Sequence, residues 1–404
     1  MKLGLENIRA LLAALDHPER AWRSVHIAGT NGKGSVVAMV ERGLRAAGLR
    51  TGRYTSPHLN TIEERVALDG TSVDPETFAA VTAEVLAVVD DGLRSGAVTV
   101  TPTFFEVSTA IAFEIFRRAK VDVAVVEVGL GGRFDATNVL APSVSAITSI
   151  AFDHERHLGN TLSDIAFQKA GIAKRGVPLV VGRVSKDAWA RITSVAADVG
   201  ATVIDAHGTT TDRIYPPLKL ALLGRHQLEN AAVAVAVLEM WSAVVSNIPT
   251  EAIVTGLTDC EWPARLEWLR LPGGAELLLD AAHNPAGAAA LATYLDDTGV
   301  APLPIVLAAM ADKDISGMVT PLKRVALSFV ATTLPHPRAR AAEALAETIR
   351  EIAPRIPVDA EPSPDAAVAK ATAGTPRAVA AGSIFFVGPL RARLLAAGAT
   401  LLRI

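Results

Sequence analysis

The strongest constraint on the fold of this chain is a β-branched apolar run that leads into a glycine-rich turn. Val25-His26-Ile27-Ala28 is followed by Gly29-Thr30-Asn31-Gly32-Lys33-Gly34-Ser35, where a helix is expected to begin. Glycines allow a tight turn that points several N–H groups at one anion, and a helix N-terminus adds partial positive charge. Lys33 supplies a full charge, and Ser35 is suited to reach a phosphate-bound Mg²⁺. The segment predicts a strand, a phosphate-binding loop and a helix, and therefore a protein that handles a nucleoside triphosphate.

The loop departs from the Walker A pattern, which places four residues between its first glycine and Gly-Lys-Ser/Thr. Here two residues separate Gly29 from Gly32, and Gly34 stands between Lys33 and Ser35. The alternative is a glycine-rich strand-to-helix turn with a solvated lysine. The rest of the chain has to decide which phosphate chemistry the loop serves.

Length and composition restrict the classes of protein that the chain can belong to. With 404 residues it exceeds the size at which single cores stop growing, so two domains are expected. Hydrophobic residues make up 50% and the net charge is −3, which indicates a globular protein and argues against a strong positive field for nucleic acid. Cys260 is the single cysteine, which excludes an intramolecular disulfide and a multi-cysteine metal site. We expect a cytoplasmic monomer without a secretory signal, a membrane span or a nucleic-acid partner.

Apolar runs alternate with helical patterns along most of the chain, which predicts the α/β class with parallel sheets covered on both faces. Strands are predicted at residues 121–127, 144–150, 177–181, 277–280, 303–308, 328–332 and 378–387. Helices are predicted at residues 103–118, 163–173, 285–296, 339–352 and 364–373. Leu271-Pro272-Gly273-Gly274 forms a turn that divides a P-loop parallel-sheet domain, residues 1–271, from a smaller Rossmann-like domain, residues 272–404.

Polar clusters follow four of the predicted strands. Ligands of open α/β sheets collect at the carboxyl ends of strands, so four such clusters suggest one shared cleft. The clusters occupy residues 29–35, 127–135, 153–154 and 280–284.

Three side chains in these segments have residue types that suit chemistry around a phosphate. Glu127 is the first candidate ligand for Mg²⁺, with capping of local N–H groups as the alternative. Imidazole is an unusual Mg²⁺ ligand, so its chemistry alone makes His154 a hydrogen-bond partner or a base. Lys169 lies among apolar residues, where an unpaired ammonium is costly. Neutralisation, pairing and covalent modification of Lys169 all remain open.

Further candidates lie near the second predicted domain. Arg265 suits bidentate contact with phosphate. Asp280 and His283 stand at a strand end, before a helix whose first turn holds Pro285. Pairing of Arg265 with Asp280 is the strongest structural alternative to these functional roles.

Taken together, these motifs resemble the folylpolyglutamate synthase/dihydrofolate synthase family, a branch of the Mur ligase superfamily. Each motif is weak alone, but the set runs in family order over most of the chain. It comprises residues 29–35, 55–59, 105–106, 127–138, 153–154, 158–159, 169–172, 226–227, 230, 265–267, 280, 283–285 and 382–383.

The resemblance implies an ATP-dependent amide ligase. Such a ligase joins the α-amino group of L-glutamate to a carboxylate of dihydropteroate or of a reduced folate's glutamate tail, through an acyl phosphate. It implies ATP and Mg²⁺, with one or two metal ions. It leaves open whether the enzyme makes dihydrofolate, extends glutamate tails, or does both.

The resemblance also implies roles for individual residues. ATP contacts fall to Thr30, Asn31, Gly32, Lys33, Gly34, Ser35, Asn230, Arg265 and Asp280, and the metal site to Ser56, Glu127 and His154. The pterin pocket falls to Thr103, Phe104, Phe105, Glu106, Phe134, Asp135 and Ala136, and the glutamate-side site to His283 and Ser383. The catalytic residues are Lys33, Lys169 and His283, with Lys169 matching a lysine that the family carbamylates.

Two departures from the family pattern and three alternative functions accompany this interpretation. Ala264 and Ala281 stand where family members often have glycine, and we expect the alanines to be tolerated unless either position needs a positive φ.

The alternative functions are a ligase of the same architecture for another carboxylate, a P-loop kinase or ATPase without ligase activity, and a nucleotide-binding scaffold without catalysis.

Overall fold

The computed structural model describes residues 4–208 and 218–402, and they form two compact units. The first contains the chain up to Ala221 together with Leu228–Glu261, and the second contains Leu222–Gln227 and the chain from Trp262 onward. The division thus falls earlier than the boundary predicted at Leu271. The assignment of functions to residues 1–271 and 272–404 stays a prediction, and residues 1–3, 209–217 and 403–404 of those ranges lie outside the described residues.

The first unit is built on a mixed sheet of eight described strands, in the order β4-β3-β2-β5-β1-β6-β7-β8. All pairs from β2 to β8 are parallel, and β3 and β4 add an antiparallel edge. The strands are β1 Arg23–Ala28, β2 Thr51–Tyr54, β3 Val66–Leu68, β4 Thr71–Ser72, β5 Val123–Glu127, β6 Val144–Ile147, β7 Pro178–Val181 and β8 Thr202–Asp205.

Helices cover both faces of this sheet, and buried apolar clusters lie on each side of it. The described helices are α1 Glu6–Ala14, α2 Lys33–Ala46, α3 Pro75–Ser95, α4 Phe104–Ala119, α5 Glu155–Leu158, α6 Leu162–Ala170, α7 Lys186–Val199, α8 His226–Val244 and α9 Thr250–Thr258. Short 3₁₀ helices occupy Pro18–Arg20, Ile62–Arg65 and Ala136–Val139.

The centre of this sheet fixes where the polar loops meet. Strand β1 lies between β5 and β6, with Ile27 in register with Glu127 and Ala28 with Ile147. Because the three strands are parallel and end at the same level, the loops that follow them leave from one edge of the sheet.

The second unit repeats the α/β pattern around a sheet in the order β13-β12-β11-β14-β10-β9-β15 among its described strands. Strands β10 to β14 pair in parallel, whereas β9 and β15 form an antiparallel edge. The strands are β9 Glu267–Arg270, β10 Glu276–Asp280, β11 Leu303–Leu307, β12 Ala326–Ala331, β13 Val358–Ala360, β14 Arg377–Ala381 and β15 Thr400–Leu401. The helices are α10 Pro285–Asp297, α11 Ile315–Leu322, α12 Ala342–Ile352, α13 Pro364–Thr372 and α14 Ile384–Ala396.

The predicted α/β class is confirmed, and the predicted strands and helices are found apart from shifted ends, with one larger error. The strand predicted over residues 378–387 stops at Ala381, and α14 begins at Ile384. Gly382 has a φ of 116°, which breaks the strand, and the Ser383 hydroxyl then accepts a hydrogen bond from the Phe385 N–H. A residue with positive φ followed by a capping serine ends a strand even inside an apolar run.

No helix among the described residues combines the length and the apolar character that crossing a bilayer requires.

We predict that Gly382→Ala lowers the free energy of unfolding by about 3 kcal/mol, because the left-handed backbone disfavours a side chain and the new methyl group overpacks its site. A Cβ at Gly382 would lie 2.1 Å from the Ala308 carbonyl oxygen. Urea unfolding followed by circular dichroism measures the change.

Two glycines of the same unit serve as controls that separate backbone strain from overpacking by the new methyl group. Gly374 has a φ of 78° with open space around its Cβ position, so Gly374→Ala should cost only the backbone strain, about 1 kcal/mol. Gly273 has neither strain nor a near neighbour, so Gly273→Ala should change little. Equal unfolding midpoints for all three variants would contradict the assigned role of Gly382.

Candidate active site

The predicted phosphate-binding loop connects β1 to α2, as the sequence indicates. Gly32 caps α2 with a φ of 85°, and a Cβ there would lie 2.1 Å from Asn230 Oδ1. Asn230 comes from α8, so this helix supplies a side chain directly beside the loop. Ser35 is buried in the first turn of α2. The loop therefore presents a helix N-terminus with an adjacent lysine, the arrangement that binds phosphates.

Two hydroxyl groups after β6, which the sequence analysis missed, hold the loop in place. Thr148 Oγ1 donates to the Asn31 carbonyl oxygen at 2.6 Å, and Ser149 Oγ donates to the same oxygen at 2.9 Å. The Asn31 N–H donates to Ser149 Oγ at 3.0 Å. Thr30 contributes reciprocal bonds with the backbone of Ala151, at 3.1 and 3.2 Å. In the sequence, these two residues could have been found as a threonine–serine pair that follows a predicted strand before a polar cluster.

Two lysines meet at one carbonyl group of the loop. Lys33 Nζ donates to the Gly29 oxygen at 3.1 Å and to the Thr30 oxygen at 3.3 Å. Lys169 Nζ, from α6, donates to the same Gly29 oxygen at 2.8 Å. Burial, and after it the Lys33 charge, lowers the pKa of Lys169 to about 7, while Asp153 and Asp135 act in the opposite direction. Near neutral pH, a large fraction of Lys169 is therefore an uncharged amine.

Glu127, at the end of β5, joins this group. Its Oε1 lies 3.9 Å from Lys33 Nζ, and its Oε2 accepts a hydrogen bond from the Ser56 N–H at 3.1 Å. The carboxylate is almost fully buried. This hydrogen bond joins Glu127 to a residue 71 positions earlier in the chain rather than to a local N–H, and it brings Ser56 to the carboxylate.

His154 follows β6 and begins α5 in a left-handed conformation, with a φ of 52°. Its side chain is 42% exposed, and Nε2 lies 3.9 Å from Asp153 Oδ2. The clusters after β1, β5 and β6 thus leave one sheet edge, as the sequence predicts. The fourth cluster, residues 280–284, follows β10 and belongs to the sheet of the second unit.

The donor set around Glu127 fits a magnesium-type cation. Among the described residues, no group of three or more His, Cys, Asp or Glu side chains forms a metal site. Mg²⁺ retains several waters and takes one or two carboxylates plus phosphate oxygens, so it does not need such a group. The buried carboxylate of Glu127 beside Ser56 meets that requirement, and the ligand role of His154 stays a prediction.

The segments predicted to line a pterin pocket divide into structural and exposed residues. Thr103 and Glu106 form a capping box at the start of α4, in which Glu106 Oε2 accepts from the Thr103 N–H at 2.7 Å. Asp135 and Ala136 are buried. Asp135 accepts from the N–H groups of Leu130 and Thr137, and burial raises the pKa of its carboxyl group.

The aromatic members of this set are more accessible. Phe104 is 60% exposed and Phe134 is 41% exposed, and an arginine guanidinium lies 5.2 Å from each ring centre. Phe105 packs against Tyr54, with the ring centres 6.1 Å apart. The substrate-binding role of these residues stays a prediction, and the two exposed rings are the members best placed to meet a ligand.

In the second unit, Asp280 organises the segment that carries Arg265. Its carboxylate accepts hydrogen bonds from the N–H groups of Leu266, at 3.0 Å, and of Ala282, at 2.9 Å. Leu266 and Ala264 have φ values of 49° and 58°. No ion pair links Arg265 to Asp280 in the part of the chain that the structure describes, so their pairing does not account for these residues.

Ala264 has a positive φ, which is the condition under which alanine in place of glycine is not expected to be tolerated without strain. A side chain there carries strain of about 1 kcal/mol that glycine would avoid. Ala281 is buried without a positive φ, so its methyl group is accommodated.

His283 and Ser383 follow β10 and β14, which are neighbours in the second sheet. His283 Nδ1 lies 3.0 Å from the Ala281 carbonyl oxygen, and Ser383 is buried as the cap of α14. Their predicted roles at a glutamate-side site are not tested by these contacts.

Comparison with known proteins agrees with this architecture. Residues 264–382 match the Mur ligase glutamate ligase domain family. The dihydrofolate synthase/folylpolyglutamate synthase of Bacillus subtilis is 34% identical over 368 residues, which is 85% of this chain and 84% of that protein. The structure of Mycobacterium tuberculosis folylpolyglutamate synthase complexed with ADP and AMPPCP is 34% identical with a TM-score of 0.90, covering 97% of this chain and 95% of that one.

A further solved structure carries ligands that bear on the site. It is a bifunctional folylpolyglutamate synthase/dihydrofolate synthase with Mn, AMPPNP and L-glutamate bound. It is 31% identical to this chain with a TM-score of 0.86, and the match covers 98% of this chain and 95% of that one.

Two α/β units, a phosphate-binding loop and a ligase-type second domain define an ATP-dependent ligase of the Mur type. Within that class, the chain belongs to the folylpolyglutamate synthase/dihydrofolate synthase family, whose members are glutamate ligases.

Proposed function

We propose that this chain uses ATP to attach L-glutamate to dihydropteroate or to the glutamate tail of a reduced folate. The observation that carries the proposal is the meeting of Lys33, Glu127, Ser56 and Lys169 around the loop after β1. The relatives support the choice of substrates, because one solved structure contains a nucleotide analogue together with L-glutamate.

The reaction follows from the chemistry of a carboxylate, which is a poor acyl donor. A carboxylate oxygen of the acceptor attacks the γ-phosphorus of ATP, the bond to the β-phosphate oxygen breaks, and ADP leaves. The α-amine of glutamate then attacks the acyl phosphate carbonyl, loses a proton, and expels phosphate to leave an amide. Lys33 neutralises charge on the transferring phosphoryl group, which is the main catalytic requirement of phosphoryl transfer.

The ATP contacts assigned in the first unit are Thr30 to Ser35 and Asn230, and those assigned in the second unit are Arg265 and Asp280. His283 and Ser383 serve the glutamate side, and Phe104, Phe105 and Phe134 serve the pterin. The protein acts as a cytoplasmic monomer.

Ser56, Glu127 and His154 would hold one or two Mg²⁺ ions. A bound Mg²⁺ supplies positive charge to the phosphate oxygens and orients them. Glu127 is held for this purpose by the Ser56 N–H, which fixes one carboxylate oxygen and leaves the other directed toward Lys33.

Lys169 is carbamylated in this proposal. Carbamylation forms a bond between the neutral lysine nitrogen and the carbon of CO2 and releases a proton, which converts a cation into an anion. Burial and the nearby Lys33 charge both favour the neutral amine that reacts. The modified side chain would attract Lys33, whereas the unmodified ammonium repels it.

We predict that phosphate release requires ATP, Mg²⁺, L-glutamate and a pterin acceptor together. Dihydropteroate and tetrahydrofolate are compared side by side, with phosphate measured by colorimetry and the product by mass spectrometry as a gain of one glutamyl residue. ATP turnover without amide product would favour a P-loop kinase or ATPase. Formation of an amide product only with an unrelated carboxylate, and with neither pterin acceptor, would favour a different Mur-type ligase.

We predict that Lys33→Ala lowers kcat for ligation at least 100-fold, on the order expected when one charge is removed from the transition state. The matched control is Lys186→Ala, which removes an exposed lysine at the start of α7 and should leave kcat unchanged. Ligation at the wild-type rate by Lys33→Ala would refute the assigned mechanism.

We predict that carbamylation of Lys169 increases as pH rises through about 7, because the reactive neutral amine replaces the ammonium over that range. Carbon-13 NMR with labelled bicarbonate should show a carbamate resonance at pH 8 that weakens at pH 6. The resonance should vanish in Lys169→Ala and persist in Lys174→Ala, whose Nζ donates to the Asn138 carbonyl oxygen. A resonance that survives in Lys169→Ala would assign the modification elsewhere.

A further inference from the structure

Two arginines of the first unit share one phenylalanine ring. The Arg133 guanidinium carbon lies 5.0 Å from the ring centre of Phe167, and that of Arg191 lies 5.6 Å from the same centre. Within residues 4–208 and 218–402, neither guanidinium forms an ion pair. Both arginines are exposed, and their guanidinium groups lie against the same ring. We call Arg133, Phe167 and Arg191 the arginine pair site.

The arginine pair site is attached to the catalytic elements. Phe167 lies on α6, the helix that carries Lys169, and the Arg133 N–H donates to the Gln168 carbonyl oxygen at 2.8 Å. Arg133 also lies 5.2 Å from the ring centre of Phe134, one of the exposed rings assigned to the pterin. The site therefore lies between the exposed ring of Phe134 and the helix that carries Lys169.

Arg191 also lines an open cavity of about 710 Å³. The exposed ring of Phe152 also lines this cavity. So do three hydroxyl side chains, which are those of Thr161 at the cap of α6, Ser163 on α6 and Ser194 on α7. Arg191 Nε donates to Ser163 Oγ at 3.1 Å, which directs the guanidinium while leaving its other N–H groups available. Asp187, one turn earlier on α7, lines the same cavity and offsets part of the positive charge.

We propose that the arginine pair site binds the α-carboxylates of the acceptor's oligo-γ-glutamate tail, an inference that rests on the proposed function. Each γ-linked glutamate adds one free carboxylate to the acceptor, whereas dihydropteroate carries no such tail. Guanidinium groups bind carboxylates through paired hydrogen bonds, and stacking on Phe167 limits the freedom that Arg133 and Arg191 lose on binding. The site favours acceptors that already carry several glutamates.

The test compares acceptors that differ only in tail length. For Arg191→Gln, KM for triglutamyl tetrahydrofolate should rise about tenfold relative to KM for the monoglutamyl form, because one charge-assisted contact is lost. Arg133→Gln should also raise the KM for the triglutamyl form relative to the KM for the monoglutamyl form. In the wild-type enzyme, the KM for the triglutamyl form relative to that for the monoglutamyl form should rise as salt is added, since exposed charges are screened.

The matched control is Arg94→Gln. Arg94 is an exposed helix arginine of the same unit, paired with Asp91, and its replacement should leave the tail-length ratio at the wild-type value. Calorimetry with a tri-γ-glutamate peptide gives a readout that does not need catalysis. The peptide should bind the wild-type protein and the Arg94→Gln variant more tightly than the Arg191→Gln variant.

The outcomes separate this inference from the proposed function. Ligation that proceeds with the same tail-length ratio in Arg191→Gln and in the wild-type protein overturns the arginine pair site and leaves the ligase intact. A wild-type enzyme that ligates dihydropteroate but rejects triglutamyl acceptors also overturns it. Absence of amide product with every acceptor refutes the proposed function itself.

Discussion

The parallel pairing of β1 with β5 and β6 is the constraint on which the candidate site depends. Strand β1 is the central strand of the three, and its register with both neighbours brings their carboxyl ends to one level. The phosphate-binding loop, Glu127 and the hydroxyls that hold Asn31 are consequences of that pairing. A slip in register would move the carboxylate of Glu127 away from Lys33 and would break the hydroxyl contacts together.

Charge is arranged around this edge in a way that favours chemistry over stability. Two buried or half-buried lysines donate to the same Gly29 oxygen, which is costly because like charges repel and the site excludes much of the water. A triphosphate would supply the missing negative charge. Carbamylation of Lys169, as proposed, would supply negative charge from within the protein.

The sequence was sufficient for much of the fold, because periodicity and turn chemistry are local properties. The β-branched run before Gly29 and the helical spacing over residues 103–118 predict their elements without reference to distant residues. The strand predicted to continue to residue 387 failed because Gly382 adopts a positive φ next to Ala308, a neighbour that is remote in sequence. Local patterns do not report such contacts.

By itself, the sequence determined the α/β class, the phosphate-binding loop and the ordered motifs that identify the family. Only the tertiary structure decided that Thr148 and Ser149 support the loop, that Glu127 meets Ser56, and that Lys169 reaches the Gly29 carbonyl across the sheet edge. It also brought Arg133 and Arg191 to the ring of Phe167. These pairs are separated by many residues, and their distances depend on how strands pair and helices pack, which no local spacing encodes.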